Sequence, residues 1–184
     1  MFQHLLERIA LALEGRGIPY MLIGGQAVLL YGDPRLTKDV DVTLGIGPER
    51  LNDVLRLAED LGWKVLVEDP RSFVEQTMVL PCGDSGTEIR IDFIFSTSRY
   101  EQQAIERARL VAVGPVQVRF ASVEDLIIHK MVAGRARDLE DVRSLLIRNS
   151  DVDVQYIRCW LEQFDEALSE PFSRRFEQLW HESQ

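Results

Sequence analysis

The sequence predicts an α/β protein over about its first two thirds and an all-helical region after that. Up to about residue 120, short apolar or alternating runs that are typical of strands are interleaved with amphipathic helical patterns. From Ser122 onward the periodicity is helical throughout. We therefore expect a core domain at residues 1–121 and a C-terminal helical region at residues 122–184 that packs on it.

Bulk composition narrows the function classes. The 184 residues are 46% hydrophobic and 28% charged, as in ordinary globular domains, and no apolar run approaches the length of a bilayer span. A net charge of −9 argues against broad binding along nucleic acid, although a local basic patch could still contact one RNA end. Cys82 and Cys159 could form a disulfide, but two free thiols in a reducing cytoplasm is the favoured interpretation.

Residues in the first part of the chain predict helices and strands in alternation. Helical spacing or helix-start signals predict helices at about 2–14, 26–31, 47–61 and 100–107. Apolar or alternating runs predict strands at 20–23, 38–44, 63–67, 73–80 and 87–95, with a turn at 81–86. Residues 111–120 are also expected to be β, with a break at Gly114-Pro115. In the second part, helices are expected at about 122–133, 137–148, 153–166 and 171–182.

A pair of carboxylates stands out in the strand Lys38–Leu44. Side chains alternate along a strand, so Asp39 and Asp41 share one face while the valines between and after them face the core. Two carboxylates this close repel each other unless a cation lies between them or one is protonated. Mg²⁺ prefers carboxylate oxygens together with phosphate oxygens and water. The alternative is an ordinary solvated strand face.

Two further features strengthen the metal-site hypothesis. Asp92 lies on a second strand, opposite an apolar face, and would approach the first two carboxylates if the strands are neighbours. Three converging carboxylates are the protein half of a two-metal phosphoryl-transfer site. Upstream, Gly24-Gly25 lies at a strand-to-helix junction, where backbone N–H groups can face a phosphate.

In this order the motifs resemble the nucleotidyltransferase superfamily, which has the DNA polymerase beta-like fold. Its signature is a Gly-Gly or Gly-Ser turn, a short spacer, Asp-x-Asp or Asp-x-Glu, and a later acid on a strand. Here Gly24-Gly25, thirteen intervening residues, Asp39-Val40-Asp41 and Asp92 match. Over about residues 18–148 the chain looks especially like small bacterial proteins related to the AbiEii-type toxin nucleotidyltransferases.

That resemblance implies a mixed, twisted sheet flanked by helices and a Mg²⁺-dependent transfer of a nucleoside monophosphate from an NTP, such as ATP, to an acceptor hydroxyl. By the same resemblance Asp39 and Asp41 hold the metals and the triphosphate. Asp92 is a further metal ligand and helps to deprotonate the acceptor. Gly24 and Gly25 place backbone donors at the phosphates.

Other candidate nucleotide-binding residues come from position and periodicity. Arg35 and Thr37 lie in the loop before the acids. Lys130 continues the apolar stripe of its helix, so its ammonium must either reach the triphosphate or pair with an acid. The same two alternatives, function or surface ion pairing, stay open for a polar group further along the chain that comprises Arg135, Arg137, Asp138 and Asp141.

Two main function classes follow; a third, a metal-dependent nuclease or phosphohydrolase, would also use clustered acids, but the Gly-Gly turn before Asp-x-Asp favours transfer over hydrolysis. The first is an active enzyme whose acceptor is a tRNA 3′ end, a protein hydroxyl or a small molecule such as an aminoglycoside or lincosamide antibiotic, with a place in a toxin–antitoxin system. The second is a non-catalytic nucleotide-binding or antitoxin-like module that keeps the fold. Expected partners are an NTP, the acceptor, and either a second copy of the chain or a cognate toxin or antitoxin; no membrane partner is expected.

Overall fold

A computed structural model describes residues 2–34 and 36–183 and divides them into two compact units. The sheet unit comprises the residues up to Gln26 and Leu36–Phe120. The helical unit comprises the residues from Ala27 to position 34 and those from Ala121 onward. The helix Gly24–Tyr31 is therefore divided: its residues from Ala27 onward, with the loop after them, belong to the same unit as the C-terminal helices.

The sheet unit is built on a seven-stranded mixed sheet. In chain order, the strands are β1 Tyr20–Ile23, β2 Asp39–Leu44, β3 Trp63–Val65, β4 Val79–Asp84, β5 Ile89–Phe95, β6 Arg109–Val113 and β7 Val116–Phe120. Their order across the sheet is β3-β4-β5-β2-β1-β7-β6. Strand β2 pairs antiparallel with β1 and parallel with β5, which confirms the predicted mixed sheet.

Along the chain, helices precede or separate these strands. They are α1 Phe2–Glu14, α2 Gly24–Tyr31, α3 Leu51–Asp60 (preceded by a 3₁₀ turn at Pro48–Arg50), α4 Pro70–Thr77 and α5 Arg99–Glu106. The inner face of α1 is fully buried at Leu5, Ile9 and Leu13, as its helical spacing predicts. Helix α2 begins directly at Gly24, where β1 ends.

The segment between β3 and β5 differs from the prediction. Residues 73–80 were expected to form a strand and residues 81–86 a turn; instead α4 ends at Thr77 and β4 runs from Val79 to Asp84. The start of α4 explains the difference, because the Asp69 carboxylate accepts from Ser72 N and Pro70 occupies the first helical turn. Met78, in the left-handed region with φ 60°, ends the helix.

Four helices make up most of the helical unit: α6 Val123–Ala133, α7 Ala136–Arg148, α8 Val154–Leu168 and α9 Phe172–Glu182. These bounds confirm the helices expected from periodicity. Ser122 caps α6 through the backbone N–H of Asp125, and Gly134 ends it with a positive φ. The loop after α2 is tied to α7, since Ser144 Oγ binds the backbone N–H of Asp33 and Arg148 pairs with the Asp33 carboxylate.

Two further expectations can be compared with the structure. Cys82 is buried, Cys159 is exposed, and both thiols are free. Among the helices of residues 2–34 and 36–183, none combines the length and the apolar character that a bilayer crossing requires.

Candidate active site

The pairing of β2 with β5 brings the three aspartates to neighbouring strands. In this parallel pair, Asp41 lies opposite Asp92 and Asp39 lies opposite Arg90. Neighbouring strands are about 4.8 Å apart, so the three carboxylates and the guanidinium lie on adjacent positions of one face. The opposite face is core, where Val40, Val42, Ile91 and Phe93 are fully buried. Strand alternation and the strand order together create this polar face.

Gly24 lies against the carboxylate of Asp41. A methyl group added at Gly24 would lie 1.9 Å from Asp41 Oδ2, well inside van der Waals contact. The backbone there also has φ +65°, a conformation that side chains with a Cβ rarely adopt. Glycine is therefore required at this position for two independent reasons, and both come from the junction between β1 and α2.

Thr37 holds Asp39 from the loop before β2. Its hydroxyl donates to Asp39 Oδ1 at 2.7 Å and also lies 3.2 Å from the Asp39 carbonyl oxygen. The same hydroxyl fills the space beside Gly25, where an added methyl would lie 2.5 Å from Thr37 Oγ1. The structure thus brings together Gly24, Gly25 and Thr37 with the two acids of β2.

Arg90 is the residue of this face to which the sequence assigned no role. Its Nε donates to Asp92 Oδ1 at 2.8 Å. The hydrogen bond to Asp92 is the main cause that raises the pKa of the guanidinium; partial burial opposes it, and the charges of all three aspartates add to it. Alternation along β5 already placed Arg90 on the face of Asp92, which was the available signal.

The donor set suits a hard divalent cation. Mg²⁺ binds through one or two protein carboxylates and completes an octahedron with water and phosphate oxygens, so it does not need an all-protein cage. Asp39 and Asp41 supply such oxygens. The backbone of Gly24 lies directly beside the carboxylate of Asp41. Within residues 2–34 and 36–183, no three Asp, Glu, His or Cys side chains are arranged to hold an ion by themselves. Phosphate oxygens and water would complete the coordination.

Comparison with known proteins settles the family. Residues 2–178 match the model of a family described as nucleotidyl transferase of unknown function (DUF2204). The chain belongs to this family. The nucleotidyltransferase resemblance predicted from the sequence is confirmed by this match. No protein among the curated sequences matches it.

Several solved structures share its fold. ANT(2'')-Ia in complex with adenylyl-2''-tobramycin superposes with a TM-score of 0.60 at 18% identity, covering 90% of this chain and 98% of that chain. A nucleotidyltransferase-like antigen from Paracoccidioides brasiliensis gives 0.55 at 17%, covering 95% and 91%. JHP933 from Helicobacter pylori gives 0.54 at 15%, covering 99% and 88%. At these identities the likeness concerns the fold.

Lys130 of this nucleotidyltransferase has two carboxylate partners within the helical unit. Its Nζ lies 2.8 Å from Asp138 Oδ1 and 2.8 Å from Asp141 Oδ2. Arg135 also binds Asp138, with Nε 2.6 Å from Oδ2 and Nη2 3.2 Å from Oδ1. The ion-paired alternative for Lys130 is therefore what the structure shows, and its contact with a triphosphate stays a prediction.

We call this group the α6–α7 ion cluster (Lys130, Arg135, Asp138 and Asp141); the sequence singles out all four residues but does not show which of them pair. Its side chains pair across the turn between two helices, at separations of eight and eleven residues. Arg35, the other cation predicted to bind nucleotide, lies outside the described residues.

Proposed function

We propose that this protein is a Mg²⁺-dependent enzyme that transfers a nucleoside monophosphate from an NTP to a hydroxyl group and releases pyrophosphate. The observation that carries the proposal is the register of β2 and β5, which places Asp41 opposite Asp92 with Asp39 two residues along the same face. Clustered carboxylates can hold the cations that assist phosphoryl transfer, and the backbone N–H groups of a glycine turn at a helix start can bind phosphate.

Each residue of the face has a defined task in this proposal. Asp39 and Asp41 would hold the cation, which would orient the triphosphate, and Thr37 holds Asp39 in place by donating to Oδ1. The bound cation would neutralise charge that develops on the phosphates and the leaving pyrophosphate. Backbone N–H groups at Gly24 and Gly25 donate to phosphate oxygens at the start of α2.

Asp92 acts on the acceptor. An alcohol attacks phosphorus poorly until its proton is removed, and a neighbouring carboxylate can accept that proton. Asp92 lies across from Asp41, so a hydroxyl that approaches the α-phosphorus of a nucleotide held on β2 comes within its reach. Asp92 would also be a further ligand of the bound cations, so it would contribute both to metal binding and to removal of the proton.

For the acceptor we propose a small, hydroxyl-bearing, positively charged molecule. The net charge of −9 favours the approach of a cation and disfavours RNA. The likeness in fold to ANT(2'')-Ia, whose structure holds adenylyl-2''-tobramycin, spans nearly the whole of both chains and supports an antibiotic-like acceptor. A tRNA 3′ end and a protein hydroxyl are the alternatives that the test must separate.

The test follows the position of label in the NTP. The protein is incubated with Mg²⁺, each NTP labelled at the α- or γ-phosphate, and acceptor panels of cationic antibiotics, tRNA and protein lysate. We expect α-label on a small molecule and γ-label in pyrophosphate, with transfer abolished in Asp39→Asn and kept in the control Glu75→Gln, an exposed acid on α4.

Other outcomes overturn parts of the proposal. Transfer of γ-label to the acceptor would indicate a phosphotransferase. Label on tRNA or protein would overturn the small-molecule acceptor. Binding of NTP with no transfer to any acceptor would favour a non-catalytic nucleotide-binding module.

A further inference from the structure

Arg90 occupies a position on the carboxylate face that places a positive charge where a divalent cation is expected. It is the register partner of Asp39 on the adjacent strand, and it precedes Asp92 by two residues on its own strand. Its Nε lies 2.8 Å from Asp92 Oδ1, so the guanidinium and a metal ion would use the same carboxylate.

Electrostatics favour a guanidinium among these carboxylates. Three carboxylates on neighbouring positions repel one another, and one guanidinium among them relieves part of that repulsion. All three aspartates contribute to the raised pKa of Arg90, so the guanidinium interacts with the whole group and not only with its hydrogen-bond partner. Three negative charges and one positive charge leave the face strongly attractive to a divalent cation.

Exposure shows that this contact can be exchanged. The Arg90 side chain is 53% exposed, whereas that of Asp92 is 17% exposed. An arginine on a flexible stem that is more than half exposed can exchange its carboxylate partner for water, because solvent screens and hydrates the exposed guanidinium. The carboxylate is the fixed partner and the guanidinium the movable one.

We propose that Arg90 is an internal counter-ion of the carboxylate face that competes with the divalent cation for Asp92 and is displaced from that carboxylate when the cation binds. This inference rests on the proposed metal-dependent function. It assigns Arg90 a positioning role: it stabilises the metal-free face and tunes the concentration of cation at which the face becomes loaded.

Direct binding of Mn²⁺ without nucleotide tests the proposal. Free Mn²⁺ is measured by electron paramagnetic resonance in titrations of the parent protein, Arg90→Met, Arg90→Lys and the control Arg109→Met. Arg109 is exposed on β6, four strands from β5, or about 19 Å at the usual strand spacing, which is beyond the Debye length of about 10 Å at 0.1 M salt. The control therefore removes the same charge at a distance.

Removal of one positive charge beside the ion should tighten Mn²⁺ binding by roughly five- to tenfold in Arg90→Met. Arg109→Met should stay within about twofold of the parent, and Arg90→Lys, which keeps the charge, should resemble the parent. Melting temperatures give a second readout: in EDTA, Arg90→Met should melt below the parent, and saturating Mn²⁺ should raise its melting temperature by more than it raises that of the parent.

The outcomes separate this inference from the proposed function. If the parent binds Mn²⁺ and Arg90→Met binds it equally or more weakly, the counter-ion role is overturned and the metal site stands. If none of the proteins binds Mn²⁺ without nucleotide, the counter-ion role is overturned, while the metal site completed by phosphate oxygens is judged separately by NTP binding with Mg²⁺ and with EDTA. Binding by Arg90→Met but not by the parent would be the strongest support for competition.

Discussion

Replacement of Lys130 by methionine tests which of its two predicted roles is the real one. The ammonium is 7% exposed and lies 2.8 Å from carboxylates of Asp138 and Asp141 that are 2% and 7% exposed. Methionine keeps most of the length and apolar character of the side chain but removes the charge, so it leaves buried carboxylates without this cation.

The magnitude follows from burial. Breaking a buried ion pair by removing one partner costs about 3–5 kcal/mol, whereas an exposed pair is worth about 0–1 kcal/mol. Because Arg135 still binds Asp138 in the variant, we expect the lower end, about 3 kcal/mol. For a chain of this size that corresponds to a melting temperature lower by roughly 6–12 °C.

The assay compares Lys130→Met with Arg143→Met by thermal and urea unfolding, followed by circular dichroism. Arg143 is a matched control, since it lies on α7 and pairs with Glu182 at exposed side chains. NTP affinity is measured on the same samples. If the two variants are equally stable and only Lys130→Met loses NTP binding, Lys130 contacts the triphosphate and its structural role in the α6–α7 ion cluster is wrong.

Three more predictions concern single residues. Gly24→Ala should fold but lose at least about 10²-fold in transfer rate, because its methyl displaces the Asp41 carboxylate; Gly17→Ala, also at positive φ but with open space around it, should keep activity in the same assay. Asp92→Asn should bind Mg²⁺–NTP nearly normally in calorimetry yet lose at least ~10²-fold in single-turnover transfer, and loss of both would make Asp92 a primary nucleotide ligand. Burial pushes the pKa of Asp138 upward, but hydrogen bonds from Arg135 and Lys130 outweigh it and the pKa is lowered. This lowered pKa stabilises the folded protein at pH values above the unfolded pKa of about 3.9, and the stabilisation is lost as the pH falls through the folded pKa. In Asp138→Asn, the free energy of unfolding should therefore depend less on pH across that acidic range.

Local periodicity predicts one part of the structure well. Alternation separates Asp39 and Asp41 from Val40 and Val42, and burial follows that division, with both valines fully buried. The helices after Ser122 are also predictable, because the cap at Ser122 and the apolar spacing agree with each other. In these segments each residue's local preference and its tertiary environment coincide.

Contacts between distant segments account for what could not be predicted. That β5 lies beside β2 depends on strand order, which alternation along either strand does not reveal. Phe73 suggested a strand, yet the capping of α4 by Asp69 outweighs the local β preference. Lys130 looked like a ligand because a lysine interrupts an apolar stripe, while its carboxylate partners lie on the next helix. In each case the missing information was the neighbouring element.

The most direct test of the proposed site is independent of the acceptor. Equilibrium binding of each NTP is measured with Mg²⁺ and with EDTA for the parent, Asp39→Asn, Asp41→Asn and the control Glu75→Gln. We predict Mg²⁺-dependent binding of at least one NTP by the parent and the control, and loss of that binding in both aspartate variants, since the cation links the carboxylates of β2 to the triphosphate. Equal binding in EDTA, or unchanged Mg²⁺-dependent binding by the aspartate variants, would contradict the assignment of this carboxylate face as the nucleotide site.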